Sequence, residues 1–439
     1  MKQFSFRKAA AAFAAALTCF ALSGCSMFRP IDGVGRDDVA DITHAAISSE
    51  QTNDTQKNPE TVPPETTEPI TDTTPVTTKP QPLEKRVSIL AVGDNIIHEA
   101  VYVDAAKRAA DGKKYDFLPM YSSVAERIAA ADVAFINHET PMAGESYGIS
   151  GYPTFNAPQE AGHALVDVGF DVINLANNHI MDKRAAGAKA TVSFVQSLPV
   201  TELGVYLDQA DYEKIRVTEK NGIKIAWVSF CQDSNNPHDN KTSGVIMPRM
   251  NDDNSIIKRI KDAAAISDFV IASAHWGLEQ PALTKEQTRL AKVMAEAGAN
   301  VIIGHHPHVL QSVEWLTTSS GEKTLVAYSL GNFLSSQLDN FNMIGGMLCF
   351  DIVMDESGNC RVDKPIMDIT VNHYAGKKDS AQQYGVYRHA MQMYMLDDYT
   401  EDLAAEHGCR FFSSEFSLKW IEKHVRSVIA EEFLPAYFE

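Results

Sequence analysis

Several short apolar runs in this sequence end in residues that bind metals or move protons. Val87–Val92 is followed by Gly93-Asp94, Val133–Ile136 by Asn137-His138-Glu139, and Val172–Ala176 by Asn177-Asn178-His179. Phe269–Ala274 runs into His275-Trp276-Gly277, and Val301–Ile303 into Gly304-His305-His306-Pro307-His308. Carboxylate, side-chain amide oxygen and neutral imidazole are suitable ligands for divalent ions of the Mn, Fe or Zn class. Each piece alone has a plainer reading. Gly-Asp after a strand makes a turn, Asn178 a cap, and His275 a hydrogen-bonded core histidine. His306-x-His308 says more, because period-two alternation puts both imidazoles on one side of an extended chain. Five such ends in succession together predict a metal site.

Elements that would bring these ends together are legible in the pattern. From Arg86 onward, short β-rich runs alternate with amphipathic stretches, the signature of α/β layering. Helices are expected over Ser122–Ala131, Gln159–Val168, Arg184–Gln196, Ser255–Ile266 and Lys285–Ala297, the last closed by Gly298. In open α/β sheets the loops at strand C-termini converge on the ligand crevice. Ile344–Met354 and Val362–Thr370 read as a hairpin around Asp355-Glu356-Ser357-Gly358, and the chain from Ala381 onward as helical. The expected organisation is a domain over 85–373 and a C-terminal helical extension over 374–439.

The N-terminal part reads as export and tether. Lys2, Arg7 and Lys8 precede the apolar Ala9–Ala21, and Leu22-Ser23-Gly24-Cys25 closes the run as a bacterial lipobox. Residues 1–24 are then a signal peptide and Cys25 the lipidated N-terminus, anchored by acyl chains and not by a spanning helix. Residues 25–84, rich in Thr, Pro and Glu, hold too few apolar side chains to pack and read as a disordered tether. The expected location is the outer face of a bacterial cell membrane. A net charge of −18 without a basic run beyond the signal argues against nucleic acid. Cys349 and Cys360 flank the expected hairpin turn, where a disulfide would be compatible with export.

Taken in order, Gly93-Asp94, Asn137-x-Glu139, Asn178-His179, His275-Trp276-Gly277, Gly304-x-His306-Pro307-His308 and Ser329-Leu330-Gly331-Asn332-Phe333 resemble the CapA-type proteins of poly-γ-glutamate capsule synthesis. That family is itself similar to calcineurin-like metallophosphoesterases. The resemblance covers roughly Arg86 to Asp368 and implies a four-layer α/β/β/α sandwich. It implies one ion held by Asp94 and His308, another by Asn178, His275 and His306, and Glu139 bridging. Two such ions activate water and clamp the oxygens of the group attacked. His179 would protonate the leaving oxygen, oriented by Asp182, and Asn137 and Asn332 would face substrate. The sequence departs from the phosphoesterase pattern at Asp94-Asn95-Ile96, where Asp-x-His is usual; His98 is displaced, and Glu139 is one methylene longer than the usual Asp. The implied functions are three. One is hydrolysis or transfer of a phosphoester or polymer bond in surface-polymer production. Another is metal-dependent polymer binding beside membrane synthase and export proteins. The last is a surface phosphatase unrelated to capsule.

Overall fold

The computed structural model describes residues 84–110, 112–236 and 243–439, all within one unit. The expected signal peptide, Cys25 and all but the last residue of the expected tether lie outside them. Its strands are β1 (Lys85–Asn95), β2 (Val133–His138), β3 (Val172–Asn174), β4 (Thr201–Leu203), β5 (Arg216–Lys220), β6 (Ile223–Cys231) and β7 (Phe269–His275). They continue with β8 (Val301–His305), β9 (Val313–Thr317), β10 (Lys323–Ala327), β11 (Ile344–Met354), β12 (Cys360–Lys378) and β13 (Val386–Met395).

Two sheets form. One runs β13-β12-β11-β1-β2-β3-β4 and the other β5-β6-β7-β8-β10-β9. Within the first, β1 to β4 are parallel neighbours, and within the second so are β6, β7, β8 and β10. Antiparallel strands complete the edges.

Side-chain alternation decides the layering, since successive residues of a strand point to opposite faces. In the second sheet Ile225, Trp227, Ile271, Val301, Ile303 and Leu325 join a core shared with Ile89, Ala91 and Phe135 of the first sheet. Phe135 of β2 stacks on Trp227 of β6 at 5.6 Å between ring centroids, which fixes the sheets face to face. The intervening residues Ala226, Val228, Val270, Ala272, Ile302 and Val326 point the other way. There they meet Ile256, Ile260, Leu290 and Met294 from the helices Asp253–Ala264 and Lys285–Ala297. Strands buried on both faces read as continuous apolar runs, as the sequence showed. The expected sandwich is therefore present, helices outside and two sheets within.

Helices at Arg184–Gln196 and Lys285–Ala297 match the sequence reading residue for residue. The second begins with a reciprocal cap between Thr284 and Gln287 and ends at Gly298, whose φ of 109° few L-residues adopt.

Two expectations are corrected. Cys349 and Cys360 are free thiols. Cys349 pairs with Ile366, six positions along β12 from Cys360, or roughly 20 Å at strand rise. A disulfide needs Cα atoms roughly 4.4–6.8 Å apart. The second correction concerns the tail. The boundary at 373/374 falls inside β12, and Val386–Met395 is an edge strand, not helix. Met391, Met393 and Met395 bury alternately, a period-two signal that the surrounding polar residues obscured. α-Helices follow at Glu401–Glu406 and Leu418–Val428, the latter burying Ile421 and Val425 one turn apart.

At the end of β1 the chain passes against Gly331; a Cβ on Gly93 would lie 1.9 Å from the Gly331 carbonyl oxygen. Gly93→Ala should cost about 3 kcal/mol, the upper end of overpacking penalties, read as a lower urea midpoint in the chain that otherwise unfolds unchanged.

Candidate metal centre

The carboxyl ends of the two parallel strand sets meet at one edge of the sandwich, where β1, β2, β3, β7 and β8 deliver the ligand-type residues. Asp94 lies at the end of β1; its N–H donates to the Gly331 carbonyl and its carbonyl accepts from the Phe333 N–H. Glu139 directly follows β2, its N–H donating to the Asn95 carbonyl. Beyond β3, the Asn177 amide donates to the His138 carbonyl while its oxygen accepts from the His179 N–H, so Asn178 and His179 are held against β2. His275 ends β7 and His305 ends β8.

His306 and His308 arrive differently from the extended alternation expected. Strand β8 stops at His305, and both residues take left-handed φ values of 93° and 59°. For residues with a Cβ such conformations cost on the order of 1–3 kcal/mol each and persist where surroundings over-determine them. The rings thus reach the site through a strained turn, with centroids 5.7 Å apart.

The donor atoms converge. Asp94 Oδ2 lies 2.9 Å from His308 Nδ1 and accepts from the His306 N–H at 3.2 Å. Glu139 Oε1 lies 3.4 Å from His308 Nε2 and 3.7 Å from His275 Nε2. Asn178 Oδ1 is 3.1 Å from His275 Nε2, and the His275 and His306 rings are 4.9 Å apart. Two triads have ligand atoms mutually within 4.8 Å: Glu139, His306 and His308, and Asp94, Glu139 and His275. Glu139 belongs to both. The expected pairs, Asp94 with His308 and Asn178 with His275, are also neighbours, so the whole ligand set converges on one point with Glu139 at its centre.

Burial shapes the electrostatics. Burial alone would raise the Asp94 carboxyl, but His305 and His308 outweigh it and hold the group well below the carboxylate range. Glu139, fully buried with less compensation, is pushed well above its ordinary value. Burial would lower His308, yet the Glu139 and Asp94 charges lift it to about 9. Burial and the neighbouring His308 bring His306 down to about 4, and burial with His306 carries His275 well below its usual value. Glu139 Oε1, His275 Nδ1 and His306 Nδ1 are buried without a hydrogen-bond partner. Two carboxylates and unpartnered imidazoles at one buried point fit a divalent cation, which would relieve both the repulsion and the missing bonds.

Beside the ligands, His179 Nδ1 is 2.8 Å from Asp182 Oδ2. Asp182 is fixed in turn by the Phe155 N–H at 2.8 Å and the Asn236 amide at 3.1 Å, and the Phe155 ring stands edge-on to His179 at 4.7 Å. His179 and His308 open on a cavity of about 380 Å³, within the range of small-ligand pockets.

Asn137 and Asn332 are not placed facing a substrate. Asn137 is fully buried, donating to Asp94 Oδ1 at 2.7 Å and accepting from the Asn174 amide at 2.7 Å, so it holds a ligand in place. Asn332 is also fully buried and donates to Gln337 Oε1 and the Asn342 carbonyl, bracing the loop beside β1. His98 does not curl back to Asp94; its Nδ1 accepts from the Ser336 N–H at 3.3 Å. Sequence reasoning missed His305, whose Nδ1 lies 3.4 Å from Asp94 Oδ1 and whose ring stacks on Phe135. It also missed Asn235, whose amide nitrogen lies 3.3 Å from both ring nitrogens of His179 and whose oxygen accepts from Asn178. The run Gly304-His305-His306 marked the first; nothing local marked the second.

Residues 88–337 match the family profile described as bacterial capsule synthesis protein PGA_cap. The PGA biosynthesis protein CapA of Bacillus subtilis is 33% identical over 235 residues, covering 52% of this chain and 59% of that protein. The capsule biosynthesis protein CapA of Bacillus anthracis is 33% identical over 196 residues, covering 42% and 44% respectively. The chain spans about half the length of these relatives. Among solved structures, the calcineurin-like phosphoesterase YfkN of Bacillus subtilis is 14% identical, covering 65% of this chain and 90% of that one with a TM-score of 0.40. The NAD nucleotidase NadN of Haemophilus influenzae is 12% identical, covering 66% and 52%, with a TM-score of 0.40.

His308 must lose its proton to bind a cation, so metal uptake at pH 7.5 should release protons. Titrations in buffers of different ionisation enthalpy will show it; a proton count of zero would exclude His308 as a ligand. The folded value of about 9 lies above the ordinary 6.5. Its stabilising contribution in the metal-free chain is therefore complete below pH 6.5 and lost as pH rises through 9. Thermal melts should show that loss without metal and not with it.

Proposed function

The chain belongs to the bacterial capsule synthesis protein family, and we propose that it is a metal-dependent hydrolase or transferase of that class, acting on a phosphoester or polymer bond at the cell surface. The observation that carries this reading is the His179–Asp182 pair at 2.8 Å, whose His179 opens on the same cavity as the ligand His308. A site that only gripped an anion has no use for an imidazole oriented by a buried carboxylate beside its ligands.

The roles follow from placement. Asp94, Glu139, Asn178, His275, His306 and His308 would hold one or two ions of the Mn, Fe or Zn class, with Glu139 shared. A bound cation would supply electrophilic polarisation of the attacked group and offset charge developing there. Asp182 accepts at Nδ1 of His179 and so keeps that ring's Nε2 as the atom that exchanges a proton with the leaving group. Asn235 and the Phe155 edge restrict the ring's rotation, and Asn137 keeps Asp94 from swinging away from the ligand cluster. Phe155 also walls one side of the cavity and limits water around His179.

We place the protein on the outer face of the membrane, held through lipid on Cys25, beside membrane proteins that synthesise or export an anionic polymer. The relatives' names, which refer to PGA and capsule biosynthesis, support poly-γ-glutamate as the polymer to test first. A second reading, metal-dependent polymer binding without turnover, is favoured by Ile96 standing where a phosphoesterase has its first histidine.

Two variants separate the readings. His179→Ala should keep its metal and lose roughly 10²–10⁴-fold in turnover of a phosphodiester or of poly-γ-glutamate. His306→Ala should lose metal by elemental analysis and turnover together. Metal-loaded wild-type protein that cleaves neither substrate would replace the hydrolase with the binding reading; absence of metal after reconstitution with Mn or Zn would refute both.

A further inference from the structure

The cavity onto which His308 opens also holds a cation that the family match does not include. Arg388 lies on β13, beyond residue 337, opposite Gly376 in the β12–β13 register. Its side chain lines the cavity together with His179, His308, His98, Ser336 and Tyr384. Only 8% of the residue is exposed.

Arginine at that depth ordinarily sits against a carboxylate, because an uncompensated buried charge is costly. Among the described residues, Arg388 forms no ion pair. Its only donations among those described residues are from Nη1, to the carbonyl and hydroxyl oxygens of Ser336. A guanidinium has five N–H donors in a planar fork, so Nε and Nη2 are left for something else. They are not sealed in protein: neither is among the buried polar atoms without a partner. One face of the group is covered by the Tyr384 ring, 5.6 Å from the guanidinium carbon. Tyr384 itself has a left-handed φ of 65° and is half exposed, held over Arg388 by the turn in which the Asp379 N–H donates to the Gly385 carbonyl. His98, which also lines the cavity, is kept neutral by burial and by the Arg388 charge, which bring it down to about 3. Three carboxylates, Glu99, Glu279 and Asp339, also line the cavity, and all three are exposed. Glu99 acts on the Arg388 charge and Glu279 on that of His308, so an anion entering competes with exposed carboxylates for both cations.

We propose that Arg388 is an oxyanion-binding residue of the substrate cavity, taking a carboxylate or phosphate group of the substrate through a guanidinium that is not itself a metal ligand. This rests on the metallohydrolase reading only in calling the anion part of that centre's substrate; the anion site itself stands without metal. The planar fork suits bidentate recognition of either group. An acidic polymer would place one carboxylate here while a neighbouring bond lies beside His179.

The test uses the full chain stripped of metal by chelation, with inorganic phosphate and glutarate titrated separately by calorimetry. Wild-type protein is expected to bind at least one of them, and the tighter probe tells phosphate from carboxylate. Arg388→Met should weaken that binding at least tenfold. Arg388→Gln keeps an amide donor but removes the charge and the guanidinium fork; it should show the same loss and carries the test if Arg388→Met does not fold. His306→Ala should bind the anion as wild type does, and metal content should be unchanged in both Arg388 variants. Affinity within twofold of wild type in a folded Arg388 variant, or no binding of either probe by wild type, overturns the proposal. Anion binding that depends on Arg388 in a chain that never takes up metal would uphold this site while the metallohydrolase reading fails.

Discussion

Two buried carboxylates at one edge of the sandwich are the constraint on which the rest of this structure depends. Asp94 and Glu139 are both fully inaccessible, close enough to share His308 between them. Like charges in a dry interior cannot both stay ionised without positive partners. The protein answers with imidazoles on one side and amides on the other. His305 and His308 stabilise the Asp94 charge, Asn137 ties Asp94 to β2, and Asn174 ties Asn137 to β3. The Ser229 hydroxyl then donates to the Asn174 side-chain oxygen at 2.7 Å, carrying the network to the second sheet. The polar chain thus crosses the interface that the Phe135–Trp227 stack forms by apolar contact.

Such a centre is unstable in isolation, and the surrounding fold shows where it is supported. The left-handed turn at His306 and His308 is locked by the Asn342 amide donating to the His308 carbonyl at 3.0 Å and by the Asp94 acceptor. Gly93 and Gly304 remove side chains where β1 passes Gly331 and β8 passes Tyr328; a Cβ at either would sit 1.9 Å from a carbonyl oxygen. Strain and close backbone approach at a site rich in ligand atoms indicate function more strongly than the ligand types alone. Proximity is what the folding energy of the sandwich provides here: groups from five strands are fixed before any substrate arrives.

The C-terminal segment adds to this site from a distance. Its strand β13 extends the first sheet, and its helix Leu418–Val428 packs Ile421 and Val425, with Phe416 just before it, into the main core. His407 Nε2 lies 2.9 Å from the Asn372 carbonyl on β12, and Phe341, beside the cavity loop, meets Trp420 and His424 edge-on. The segment is thus continuous with the domain, and through Tyr384 and Arg388 it supplies part of the cavity wall.

By itself the sequence determined the α/β layering, the positions of the main strands and helices, and the ligand types at the strand ends. These are local facts: apolar runs extend, amphipathic runs coil, and polar residues after a buried strand must emerge at its end. The order of motifs was enough to identify the family. Only the tertiary structure decided which ends meet. It decided that His306 and His308 turn by strained φ and not by strand alternation, that Asn137 holds Asp94 instead of meeting substrate, and that Cys349 and Cys360 are too far apart to bond. It also converted an expected helix into β13, because pairing with β12 outweighs the weak local preference of a polar, methionine-spaced stretch. Arg388 and Asn235 could not be seen in advance for the same reason. Each sits far in sequence from the groups it faces, and separation along the chain carries no information about distance until the sheets have closed.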